Sequence, residues 1–147
     1  MASVTHLRAT TGRHDSDDSR GRVLTKAVLR ATEIMALSHS TLARILGVSP
    51  ASISRLAAPS DASSTQRSHK SGSRLIDPDS KEGELALIFL RIFRSLDSLV
   101  GGTPHAVSNW LNTSNQHLGQ QAPLDLLQSV TGIVRVANYL DAFRGRA

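Results

Sequence analysis

Six histidines and 12 carboxylates are the side chains here suited to acid–base or metal chemistry, and there is no cysteine. Their spacing does not serve that chemistry. His6, His14, His39, His69, His105 and His117 are scattered through polar segments, and no pair has metal-ligand spacing. Asp77 and Asp79 are close in sequence, but they stand at a helix entrance, where capping is the simpler use. No phosphate-cradling glycine loop and no nucleophile elbow occurs. The lack of thiols excludes disulfides and thiolate metal sites. The expectation is a protein that is not an enzyme and needs no cofactor or metal.

The chemistry that remains is recognition, and it falls into two sets. The first is Thr41, Arg44, Ser49, Ala51, Ser52, Ser54 and Arg55. They lie in a pair of short helix patterns joined at Gly47-Val48-Ser49. Ser38 is an N-cap, and Leu42, Ala43 and Leu46 give the first helix an apolar face. Gly47 takes the positive φ of a tight helix end. Val48 plugs the core beneath the turn. Ser49 caps the second helix, Pro50 opens it, and Ile53 and Leu56 face inward. Small Ala43 lets the helices cross closely. This is the logic of a helix-turn-helix, with an ordinary helical hairpin as the alternative. If it reads DNA, the second helix enters the major groove by its first turn. Ser52 and Arg55 then reach base edges, Arg55 forking onto a guanine, while Thr41 and Arg44 contact phosphate. The face is thinly armed, so affinity should need two copies bound together.

Charge agrees with this placement. Residues 1–70 hold 10 Lys/Arg against 5 Asp/Glu, and residues 71–147 hold 7 of each, so the net +5 lies wholly in the first half. A basic half suits nucleic acid, although a solvated basic tail explains the charge equally well.

The elements that position these residues follow from hydrophobic spacing. At 147 residues the chain makes one domain or two small ones. Aromatic residues are 3% of the total, so the core must come from Leu, Ile, Val and Ala, which favours helices. Residues 1–21 are polar and without period, and they read as a disordered tail. They contain no apolar stretch of the kind a secretory signal needs. No run is long enough to span a bilayer, so a cytoplasmic protein is expected. Leu24, Val28, Ala31 and Met35 mark a first helix over about residues 22–36. The helix-turn-helix domain spans 22–60 and a Ser-rich linker spans 61–74, with Arg67, His69, Lys70 and Arg74 making it basic. A helical domain fills 75–147. The fold class is all-α.

Within that last domain, Pro78 is expected to start a helix that Gly101-Gly102 stops. Leu85, Ile88, Ile92, Leu96 and Leu99 mark its stripe, Leu87, Leu90 and Phe93 widen it, and Phe89 adds to its girth. A helix this apolar is either shared with a second subunit or central in a bundle. The first is favoured, because a half-chain of about 70 residues has little interior to surround such a helix, and it predicts a homodimer through Ile88, Ile92 and Leu96. Further on, Ala106, Val107, Trp110 and Leu111 give a short helix, and Trp110 reads as core. Pro123 opens another helix. Ile133, Val136, Ala137, Leu140 and Phe143 mark a last one over about 130–143.

The second recognition set lies here, and it comes from a resemblance. Asn109-Trp110-Leu111, Leu118-Gly119, Pro123-Leu124-Asp125-Leu126-Leu127, Gly132 and Tyr139-Leu140 through Gly145 are similar in order and spacing to the toxin-binding domain of Xre/ParS-type antitoxins. Leu75-Ile76-Asp77-Pro78 fits the start of the same domain, so the resemblance covers about residues 74–147. The helix-turn-helix resembles the Xre/Cro type, and the Ser-rich linker after a short recognition helix departs from that pattern. The resemblance implies an antitoxin that binds a RES-domain, NAD-consuming toxin and blocks its active site. It also implies a regulator of its own operon. Trp110, Val136, Leu140, Phe143, Arg144, Arg146 and Ala147 are then the expected toxin-binding residues. The alternatives are a stand-alone regulator whose C-terminal half only dimerises, and an interaction protein whose helix-turn-helix no longer binds DNA.

Overall fold

The structure is a computed structural model and describes residues 11–58 and 74–145, with side chains from residue 16 onward. The segment expected as a Ser-rich linker, apart from Arg74, lies outside the described residues. Seven α-helices appear among those described, and no strand forms: α1 (Thr11–Ile34), α2 (His39–Leu46), α3 (Pro50–Ala57), α4 (Lys81–Val100), α5 (Pro104–Asn112), α6 (Pro123–Leu126) and α7 (Val130–Arg144). The fold is all-α. None of these helices is long and apolar enough to cross a membrane.

The first helix corrects one expectation. It begins at Thr11, so the part of the polar tail from residue 11 to 21 is helical. Two features favour this. Asp17–Arg20 and Asp18–Arg22 pair along the helix surface, at 3.5 and 3.2 Å. Such pairs add only about 0.2–0.5 kcal/mol each. The second is tertiary. Gly21 is buried beneath Leu75 and Ile76, Thr25 Oγ1 accepts the Ile76 N–H at 2.9 Å, and Arg20 reaches Asp79 at 3.6 Å. The segment that returns onto α1 thus braces the C-terminal end of this stretch, at Arg20 and Gly21. The stripe of Leu24, Val28, Ala31 and Met35 is buried as the spacing predicts.

Caps set α2 and α3 where expected. Ser38 Oγ accepts the Thr41 N–H, Gly47 ends α2 at φ 68°, Ser49 Oγ accepts the Ser52 N–H, and Pro50 opens α3. The start of α4 differs. Pro78 does not begin it; Ser80 does, as N-cap to the Gly83 N–H at 3.0 Å. Asp77 builds the turn before it, its Oδ1 accepting the Asp79 N–H and its carbonyl the Ser80 hydroxyl. Glu82 in the first turn suits the helix dipole and takes both arms of the Arg74 guanidinium.

The inward face of α4 is also rotated from expectation. Ala86, Phe89, Ile92 and Leu96 are fully buried, Leu85 and Ile88 are only partly so, and Leu87 and Leu99 are exposed. Phe89 is therefore the centre of the stripe rather than an addition to its girth. Ile92 and Leu96, expected at a dimer interface, have no exposed surface to give a second subunit, and Ile88 sits half-buried at the margin. Of the two alternatives for an over-apolar helix, α4 takes the central one. It packs against α1, α2, α5 and α7, and one core cluster runs from Leu24 to Leu140. Each large α4 side chain so buried contributes roughly 1.5–3 kcal/mol.

Two predictions follow from this packing. Because α4 belongs to both halves, Phe89→Ala should cost about 3–5 kcal/mol. Unfolding should be a single transition, seen with one midpoint by Trp110 fluorescence and by far-ultraviolet circular dichroism; two midpoints would show two independent units. The second concerns Gly132, in the first turn of α7. Helix propensity alone makes Gly→Ala favourable by about 1 kcal/mol. Here a Cβ would stand 2.0 Å from the Leu126 carbonyl oxygen, a backbone atom that cannot step aside. Gly132→Ala should instead destabilise by about 2–3 kcal/mol, as overpacking does, measured by urea denaturation.

Candidate functional site

The first candidate surface is the outer face of α2 and α3. Ser49, Ala51, Ser54 and Arg55 are exposed, and Thr41 and Ser52 are half-buried. Most of their hydroxyls are committed locally. Thr41 Oγ1 lies 2.9 Å from Ser38 Oγ, Ser49 and Ser52 hydroxyls are 3.0 Å apart, and Ser54 donates to the Pro50 carbonyl at 3.2 Å. These bonds are short-range and solvent-facing, so they exchange readily for phosphate or base contacts. Arg55 forms no bond with a described residue and presents its full guanidinium fork. Arg44 is different. Its Nη1 donates to Gln128 Oε1 at 2.9 Å, across to the stretch between α6 and α7. A residue expected at DNA phosphate is thus also a bridge to the C-terminal half. Sequence spacing carries no trace of that bond, because its partners are 84 positions apart.

The second surface lies on α5 and α7. Of the residues expected to meet a toxin, the structure removes two. Val136 is 0% and Leu140 2% exposed; both belong to the chain's own core, on a helix that packs against α4 and α6. Their period is helical as predicted, but a helical stripe serves a core and an interface equally, and here the core claims it. Trp110 is half-buried, at 6.4 Å from Tyr139 in a stacked arrangement. Tyr139 in turn meets Phe143 at 5.0 Å, tilted by 60°, and Phe143 is 39% exposed. His117 stacks on Tyr139 from the other side at 6.0 Å, and Asn115 Nδ2 donates to the Tyr139 hydroxyl at 3.3 Å. The ladder Trp110–Tyr139–Phe143 runs over the edge of the core into solvent.

Tyr139, His117 and Asn115 were not singled out from the sequence as contact residues. The signal available was the four-residue spacing of Tyr139 and Phe143, which puts both on one helix face. The outward face of α7 also carries Val130 and Val134, exposed to 65% and 41%. Arg144 is exposed and donates to Ser95 Oγ on α4 at 3.5 Å, at the limit of a hydrogen bond. Arg146 and Ala147 lie outside the described residues. Amphipathic aromatic side chains flanked by arginine are the composition of a protein–protein contact. Among the described residues, no three His, Asp or Glu side chains gather where a metal ion would fit.

Comparison with known families finds a match in each half of the chain. Residues 16–65 match the antitoxin Xre-like helix-turn-helix domain, which contains α2 and α3. Residues 95–146 match the antitoxin Xre/MbcA/ParS C-terminal toxin-binding domain, which contains α5, α6 and α7 with the aromatic ladder. No curated protein matches the chain. Both halves of one antitoxin architecture are present, in order and on a shared core, and the chain belongs to the Xre/ParS-type antitoxins.

Proposed function

We propose that this antitoxin acts in the cytoplasm, where it binds a RES-domain, NAD-consuming toxin and keeps NAD from its active site. The observation that carries the reading is the half-exposed ladder Trp110–Tyr139–Phe143, with Arg144 beside it, inside the region matched to a toxin-binding domain. The RES identity is supported by the resemblance of that region to Xre/ParS antitoxins, whose members usually pair with RES toxins. In this reading the ladder supplies affinity. Large aromatic anchors bury much area at little entropic cost, and they dominate most protein contacts. The segment from Arg144 to Ala147 does the blocking. It carries two guanidiniums, at Arg144 and Arg146. They suit the phosphate- and carboxylate-bearing surroundings of an NAD pocket. Arg144 has only its long bond to Ser95 to give up in order to move.

The same chain binds the promoter of its own operon. Its helix-turn-helix places α3 in the major groove, with Arg55 on a base edge and Thr41 and Arg44 toward phosphate. Two copies on a pseudo-palindromic site supply the affinity that one thinly armed face lacks. Their contact uses residues other than Ile92 and Leu96, which the core already holds.

Two experiments test these roles. Deleting residues 144–147 should leave the complex with the toxin intact while co-expressed cells lose protection. Full protection by the shortened chain would place the block on the helix faces instead. For DNA, Arg55→Ala should weaken binding to the upstream region of the operon by about 1–3 kcal/mol, the value of a bidentate base contact. Wild-type binding should also fall steeply with salt. Equal affinity of the two proteins on every fragment would take Arg55 out of the recognition set.

A further inference from the structure

Between α4 and the C-terminal end of α7 lies a groove of about 210 Å³ lined by Leu87, Leu90, Arg91, Arg94 and Arg144. Four of these belong to α4 and precede residue 95, where the match to the toxin-binding domain begins. Three guanidiniums meet there. Arg91 is neutralised by Asp141 of α7. Arg144 donates only to the uncharged Ser95 hydroxyl, and Arg94 forms no ion pair with a described residue. Among the described residues no carboxylate pairs with Arg94 or Arg144, and Leu87, which also lines the groove, is 52% exposed. The groove's volume is below the roughly 300–1,000 Å³ of small-molecule sites, so it holds one or two side chains rather than a nucleotide.

We propose that this groove is a second contact for the toxin and receives an acidic amphipathic segment, with a carboxylate on Arg94 and an apolar side chain against Leu87 and Leu90. The proposal rests on the toxin-binding reading above and extends that surface onto α4. Charge complementarity selects the occupant. A guanidinium that no described carboxylate neutralises makes an anionic partner favourable, and the flanking leucines add area that a bare phosphate backbone cannot use. The Arg91–Asp141 ion pair ties α7 to α4 at this groove.

The test is calorimetric titration of the full chain with the purified product of the adjacent reading frame. Arg94→Glu should weaken binding by about tenfold or more near 0.1 M salt, and the difference should shrink as salt screens it. Leu87→Ser should weaken binding at every salt concentration. Lys81→Glu, an equal charge change at a residue whose side chain is 98% exposed, should have little effect. Unfolding curves of each variant check that the fold is kept. If the wild type binds and Arg94→Glu binds equally well, the groove is not a toxin contact, while the toxin reading stands. If the wild type does not bind at all, the toxin reading fails and takes the groove with it. If Arg94→Glu leaves toxin affinity unchanged but lowers operon binding or self-association, DNA or a second copy occupies the groove and the proposal is wrong.

Discussion

The burial of α4 is the constraint on which the other elements depend. Phe89, Ile92 and Leu96 have no exposed surface, and the helices that pack on α4 are α1, α2, α5 and α7. Half a chain of this size cannot surround so apolar a helix, because small domains bury too little of their surface. The helix-turn-helix half supplies the missing cover. Gly47 at the α2 end lies against Leu85 of α4, and the Ile76 N–H bonds back to Thr25 of α1. What reads in sequence as two domains and a linker is, in energetic terms, one core.

This shared core has a consequence for an antitoxin. The proposed DNA face, on α2 and α3, and the proposed toxin face, on α5 and α7, are joined through one core: α2, α5 and α7 pack on α4, and α3 packs on α2. Arg44 adds a direct bond from α2 to Gln128 between α6 and α7. If binding on one face alters the other through such contacts, the coupling is reciprocal: toxin changes operator affinity by the same factor that operator changes toxin affinity.

The two faces use opposite chemistry. On the α3 side, short hydroxyls are engaged in cap and turn bonds, and one arginine remains free to read. On the α5–α7 side, rings extend from the core into solvent and arginines flank them. The first arrangement suits a partner that offers repeated phosphates and is bound by several copies. The second suits one folded partner held by a few anchors.

How much of this was legible in the sequence depends on the range of the interaction responsible. The helix-turn-helix was legible in full. Ser38, Gly47, Ser49 and Pro50 each act within one helical turn, and a cap or a positive φ needs no distant partner. The last helix was legible for the same reason, and so was the resemblance of residues 109–145 to a toxin-binding domain. The phase of α4 was not. A helix apolar on most sides offers several stripes, and only its neighbours decide that Phe89 faces inward while Leu87 and Leu99 face out. Nor did spacing reveal that Val136 and Leu140 line the core while Trp110, Tyr139 and Phe143 stay partly exposed beside it. Nor did it show that Arg20 and Gly21, in a stretch read as a polar tail, lie in a helix with Leu75, Ile76 and Asp79 against them. Local hydrogen-bond geometry and hydrophobic period are properties of the chain alone. Which apolar face is covered, and by what, is settled only when all the helices compete for the same interior.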